Sequence, residues 1–155
     1  MKTLPTGWQA SAGAASSGAL GTPGLLPEPR DKFDLEGANA IVQAGWPAAH
    51  AIAPQLLRWV QDANWPVARV LAPFLASAGA ALSPYVREVL QGSSDAVWKH
   101  HLIAAVVARS STLTESLRPV LARVAFEPTP AEQAEEVDRV AREALEMRGI
   151  EAWKG

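Results

Sequence analysis

The chain contains no cysteine, which excludes disulfides, thiolate nucleophiles and cysteine-ligated zinc together. No uninterrupted apolar run reaches the ~20 residues that a membrane-spanning helix requires, so no transmembrane segment is expected. A compact apolar stretch near the N-terminus is missing as well. Met1 to Leu20 is interrupted by Pro5, Gly7, Gln9 and several serines, so no secretory signal is expected, and the chain reads as cytoplasmic. Neither a G-x-G-x-x-G nor a G-x-x-x-x-G-K loop occurs, and there is no G-x-S-x-G elbow. Nucleotide cradles and the α/β-hydrolase nucleophile are therefore not expected. Excess positive charge is lacking too. With 14 bases against 16 acids the formal net charge is −2, which speaks against nucleic acid as the main partner, because phosphate neutralisation needs a basic surface.

What is present suits one domain. At 155 residues and 48% hydrophobic content the chain can bury a sizeable core. Residues 1–33 read as a Gly/Ala/Ser/Pro-rich arm, flexible or pinned in extended form, with Trp8 and the Leu25-Leu26 pair as its only anchors. Residues 34–149 read as a helical domain and 150–155 as a C-terminal tail. Val67, Val70, Leu71, Phe74 and Leu75 fall on one helical face, as do Leu113, Leu117, Val120, Leu121 and Val124. No segment alternates with period two for long enough to predict a strand. Thr129-Pro130-Ala131-Glu132 predicts a capped start for a last helix with a Val137, Val140, Ala141, Ala144 and Leu145 stripe, ending at Gly149. Pro54 and Pro73 lie inside helical patterns and are expected to kink or restart their helices.

An internal repeat refines the all-α reading. Pro54-Gln55-Leu56-Leu57-Arg58-Trp59-Val60, Pro84-Tyr85-Val86-Arg87-Glu88-Val89-Leu90 and Pro119-Val120-Leu121-Ala122-Arg123-Val124-Ala125 align at intervals of 30 and 35 residues. Asp62-Ala63-Asn64-Trp65 and Asp95-Ala96-Val97-Trp98 share D-x-x-W at an interval of 33, with the aspartates expected to cap the helices that follow. Two helices per roughly 30–40 residues is the pattern of HEAT-like repeats. The predicted architecture is therefore antiparallel helix pairs stacked as a short HEAT-like α-solenoid. Gly45-Trp46-Pro47 and Asn64-Trp65-Pro66 recur at an offset of 19, which fits reuse of one turn-and-helix-start solution.

Leu57-Arg58-Trp59-Val60-Gln61-Asp62-Ala63-Asn64-Trp65-Pro66-Val67-Ala68 combines uncommon residues at fixed spacing. Ser83-Pro84-Tyr85-Val86-Arg87-Glu88-Val89-Leu90, Asp95 with Val97-Trp98-Lys99, and Glu135-Glu136-Val137-Asp138 follow in order. Together these resemble the bacterial family called domain of unknown function 5071, from roughly Asp34 to Leu145. The resemblance implies a compact helical, HEAT-like domain, and it implies no activity.

Residues able to do chemistry are sparse. Lys99-His100-His101 beside Trp98 is the most reactive cluster, but adjacent histidines on a helix point about 100° apart and His50 belongs to another element, so no metal site is expected. Asp62 and Asp95 read as caps rather than a carboxylate pair, and Ser93-Ser94 and Ser110-Ser111-Thr112 read as caps at helix junctions. Six tryptophans stand against one tyrosine and three phenylalanines. Trp59, Trp65 and Trp98 are placed to seal helix junctions, while Trp46 and Trp153 are the candidates for exposure. From Glu127 to Gly155 there are 8 acids and 4 bases, against 8 acids and 10 bases before them. Glu132, Glu135, Glu136, Asp138, Glu143 and Glu146 therefore predict an acidic helix face.

Neither an enzyme nor a cofactor is expected. The leading expectation is a protein-interaction module, a scaffold or an immunity- or antitoxin-like inhibitor of one bacterial partner protein. The residues expected to carry binding are Trp46, Trp65, Trp98, Lys99, His101, Glu135 and Glu136. The alternative is a small-molecule sensor or accessory domain with a Trp-lined pocket.

Overall fold

Prolines open most of the helices. The first turn of a helix has N–H groups without intrahelical partners, so a residue lacking that hydrogen fits there at little cost. The computed structural model describes residues 26–154, with side chains as far as Met147. Its helices are α1 (Leu35–Ala44), α2 (Ala53–Arg58), α3 (Pro66–Ala78), α4 (Ser83–Gly92), α5 (Ala96–Ala105), α6 (Ser111–Ser116), α7 (Arg118–Phe126), α8 (Pro130–Ala134) and α9 (Val137–Lys154). Short 3₁₀ turns at Ala48–Ile52, Gly79–Leu82 and Val107–Arg109 join some of them. No strand occurs among the described residues, and the fold is all-α. The three repeated prolines, Pro54, Pro84 and Pro119, each occupy the first turn of their own helix, α2, α4 and α7. Pro66 and Pro130 open α3 and α8 in the same way.

Buried apolar residues at helical spacing bind these elements into one core. In α3 the buried set is Val67, Ala68, Leu71, Ala72 and Leu75; in α7 it is Val120, Leu121, Val124 and Ala125. Val137, Val140, Ala141 and Ala144 of α9 join them, as the sequence stripe predicts. The Val67 N–H donates to the Lys32 carbonyl at the start of α3, while Trp46, just beyond the end of α1, stacks on Phe74 near the other end. α1 and α3 therefore lie side by side in the same direction, with α2 returning between them in the chain.

The stretch Pro66–Gly92 has the length and apolarity of a membrane span. It is not one rod. At Gly79 the chain adopts φ +65°, and a Cβ there would stand 2.5 Å from Thr112 Oγ1, so both the turn and the close approach require glycine. The 13 residues of α3 reach about 20 Å, short of the ~30 Å hydrocarbon core of a bilayer.

Four expectations need correction. The last helix is two: α8 ends at Ala134, and Glu136 takes φ 59° before α9 begins. α9 does not stop at Gly149 but continues to Lys154, so 150–154 are helical rather than a tail. Pro73 lies inside α3 and does not restart it, whereas Pro54 does begin a new helix after a 3₁₀ turn. Asp95 caps α5 by accepting from the Trp98 N–H at 3.0 Å, but Asp62 caps no helix. Its carboxylate accepts from the Asn64 N–H at 2.8 Å, forming a tight local turn ahead of Trp65 and Pro66.

The end of the predicted arm is anchored. Leu26 packs against the core, Glu28 accepts from the Trp59 indole at 3.2 Å, and Arg30 bonds to Asp34. Asp34 in turn caps α1 by accepting from the Gly37 N–H. Trp8 and Leu25 lie outside the described residues.

Candidate functional site

The most heavily connected polar group is one that the sequence places on a solvated face. Glu132 is 1% exposed. Its carboxylate accepts from Lys99 Nζ at 2.7 Å and from both terminal nitrogens of Arg123 at 2.7 and 2.8 Å. It also closes the capping box of α8, accepting from the Thr129 N–H at 2.9 Å while Thr129 Oγ1 accepts from the Glu132 N–H. Burial pushes the Glu132 carboxyl up, but the hydrogen bonds from Arg123, Lys99 and Thr129 outweigh it and hold the group at about 2. Hydrogen bonding to Glu132 likewise raises Arg123. Lys99 is buried with it, so this cation is not the surface contact that the sequence suggests. The cluster ties α5, α7 and α8 together, and every charge in it has a partner, as a buried ion group requires.

The remaining candidates are dispersed. Trp98 is half-buried and donates its indole N–H to the Leu57 carbonyl at 3.0 Å, joining α5 to the end of α2. Trp65 is half-buried, meets Trp59 edge-on with ring centroids 6.3 Å apart, and lies under Lys32 Nζ at 5.8 Å. His101 is half-buried, and burial pushes its imidazole down; Asp62 and Asp95 pull it up and His100 adds to the lowering. His100 donates from Nδ1 to the Glu135 carbonyl at 2.8 Å, fixing its tautomer and holding the break between α8 and α9. Glu135 and Glu136 are exposed at that break. Glu136 pairs with Arg139, which also pairs with Glu143, and Asp138 pairs with Arg142. Three acids of the face, Glu136, Asp138 and Glu143, are thus neutralised by arginines of α9. Trp153 lies beyond the described side chains.

Trp46 is in a different setting. It stacks on Phe74 with centroids 4.5 Å apart and planes 9° from parallel, and donates to Ser77 Oγ at 3.3 Å. His50 meets the Trp46 edge at 6.5 Å and the Tyr85 edge at 5.7 Å. Two adjoining open cavities border this aromatic row. One, of about 370 Å³, is lined by Trp46, Pro47, His50, Ser77, Ala78 and Ala81. The other, of about 400 Å³, is lined by Pro47, Ala48, His50 and Ala51. His50 belongs to both. Among the described residues no carboxylate and no lysine lines either wall, so these residues offer aromatic faces, small apolar contacts and one imidazole. Trp46 and Trp65 stand near opposite ends of α3 and do not form one site.

Sequence reading misses the Glu132 cluster and the alliance of His50, Phe74, Ser77 and Tyr85 around Trp46. The one local signal for the latter is the Trp46-Pro47 dipeptide with His50 one turn on. No curated protein matches the chain. Residues 28–145 match the model of the family described as a domain of unknown function (DUF5071), a span that contains both the ion cluster and the Trp46 groove, and the chain belongs to that family.

Proposed function

We propose that this chain is a non-enzymatic protein-interaction module whose helix pairs stack in a HEAT-like manner, and that it docks one partner protein through the Trp46 groove. The observation that carries the reading is the groove itself: an open, apolar, aromatic-walled depression centred on Trp46 and His50. Tryptophan and tyrosine dominate binding hot spots because they bury much area with few rotatable bonds. Among the described lining residues His50 is the one titratable side chain on those walls. An immunity- or antitoxin-like inhibitor is the specific role we favour, by analogy with small domains that use stacked helices as a recognition surface.

Affinity capture with the full chain and with Trp46→Ala tests this. A single stoichiometric protein retained by the native chain, with a dissociation constant of roughly nanomolar order, and lost with Trp46→Ala supports it. No partner at micromolar concentration defeats it.

The second reading is a small-molecule sensor using the same groove. Cavities of about 370 and 400 Å³ fall in the range of small-ligand sites. It predicts quenching of tryptophan fluorescence and a raised melting temperature with the right metabolite. A metabolite screen that moves neither rules against it.

A further inference from the structure

Most cations of the described residues are matched to an acid of the chain: Arg30 with Asp34, Lys99 and Arg123 with Glu132, Arg118 with Glu115, Arg139 with Glu136 and Glu143, and Arg142 with Asp138. Arg69 and Arg109 make no ion pair among the described residues, and both line one depression. Its other walls are Ala63, Ala68, Ala72, Pro73 and Ala105, contributed by the loop before α3, by α3 itself and by α5. Of the acids on the elements that line it, Asp62 adjoins Ala63 and Asp95 caps the far end of α5; both act on His101, and Asp62 is already held by the Asn64 N–H. The depression measures about 210 Å³. A ~150 Å³ apolar cavity already holds a benzene-sized group, so this one accepts a single leucine-sized side chain.

We infer that the Arg69–Arg109 groove is a docking site for an acidic protein segment, one that places an aliphatic side chain on the alanine floor between carboxylates held by the two guanidinium groups. The guanidinium fork matches a carboxylate bidentately and is weakly hydrated, so it favours such contacts at a surface where apolar neighbours displace water. Charge complementarity then sets register and partner choice. This site is separate from the Trp46 groove and stands whether or not that groove binds a protein.

The test is a titration of the ¹⁵N-labelled full chain at low ionic strength, using the blocked peptide Glu-Glu-Leu-Glu-Glu as probe and Gln-Gln-Leu-Gln-Gln as its neutral counterpart. The expected result is amide shifts at Ala68, Ala72 and Ala105 with a dissociation constant on the order of 1 mM. Binding of the neutral peptide should be roughly tenfold weaker, and so should binding of the acidic peptide to the Arg69→Gln/Arg109→Gln variant. Both arginines are exposed, so an unchanged melting temperature will show that the variant folds. Arg58→Gln, which removes another exposed cation that makes no ion pair among the described residues, should leave the peptide affinity unchanged. Trp46→Ala should do so too, which separates this site from the aromatic groove. Shifts spread over the surface, equal binding of the neutral peptide, equal weakening by Arg58→Gln, or a single-stranded oligonucleotide that competes as well as the acidic peptide would each overturn the proposal.

Discussion

The region around α8 and the region around Trp46 handle their polar and aromatic groups in opposite ways. At α8 the charges are dense, but they are internally matched: Glu132 holds Lys99 and Arg123, and the acids at the start of α9 are held by Arg139 and Arg142. Around Trp46 the described lining residues carry no acid, lysine or arginine, and aromatic faces border open space. The density of charged residues in the sequence therefore draws the eye to α8 and α9, whereas the interaction proposed above is placed at Trp46. A charge already paired contributes to shape, whereas the aromatic wall at Trp46 borders open space among the described residues.

The contrast is broken most forcefully at Glu132. Glu132→Ala leaves Lys99 buried without its anion and should cost about 3–5 kcal/mol, read as a fall in the urea midpoint. The Lys99→Met/Glu132→Leu double variant should lose much less, because it removes both buried charges together, while Arg123 keeps its bond to the Glu127 carbonyl and only the Thr129 N–H loses its acceptor. Equal damage from both would mean that the cluster's role is not electrostatic pairing.

Acid probes the same group without mutation. Its folded-state value of about 2 lies below the ordinary 4.5, so the unfolded chain binds the proton first as pH falls. The stabilisation is complete above about pH 4.5 and is lost on descent towards pH 2. Asp34, held below the usual carboxylate range by its hydrogen bonds from Arg30 and Gly37, has the same sign. Glu132→Gln should flatten that part of the stability profile but not abolish it.

Smaller effects are expected at Trp46 and at the exposed pairs of α9. Trp46→Ala removes a half-buried ring stacked on Phe74 and should cost roughly 1–2 kcal/mol of stability, while abolishing capture of the partner. Arg139→Ala, which breaks two exposed pairs, should change stability by less than about 1 kcal/mol. A larger loss would show that the acidic face is more than a solvated surface.

Helix starts, the apolar stripes of α3, α7 and α9 and the capping box at Thr129 are legible in the sequence because they depend on residues within one or two turns. Glu132 shows why the rest is not. A capping-box glutamate reads the same in water or in a core, and its burial depends on Lys99, 33 positions away. The break at Glu135–Glu136 carries neither glycine nor proline to announce it. Asp62 and Asp95 share a motif, yet only Asp95 caps, because the chain ahead of α3 turns once more through Asn64 and Trp65 before Pro66. The partners of Trp46 lie 28 and 31 positions along the chain, at Phe74 and Ser77.

The proposed interaction places recognition at Trp46 and not on the acidic α8–α9 face. Capture from host cells with three baits, the native chain, Trp46→Ala and Glu135→Ala/Glu136→Ala, tests it most directly. One stoichiometric partner should be held by the native chain and by the double glutamate variant, and lost by Trp46→Ala. A partner held by Trp46→Ala and lost by the glutamate variant would contradict it.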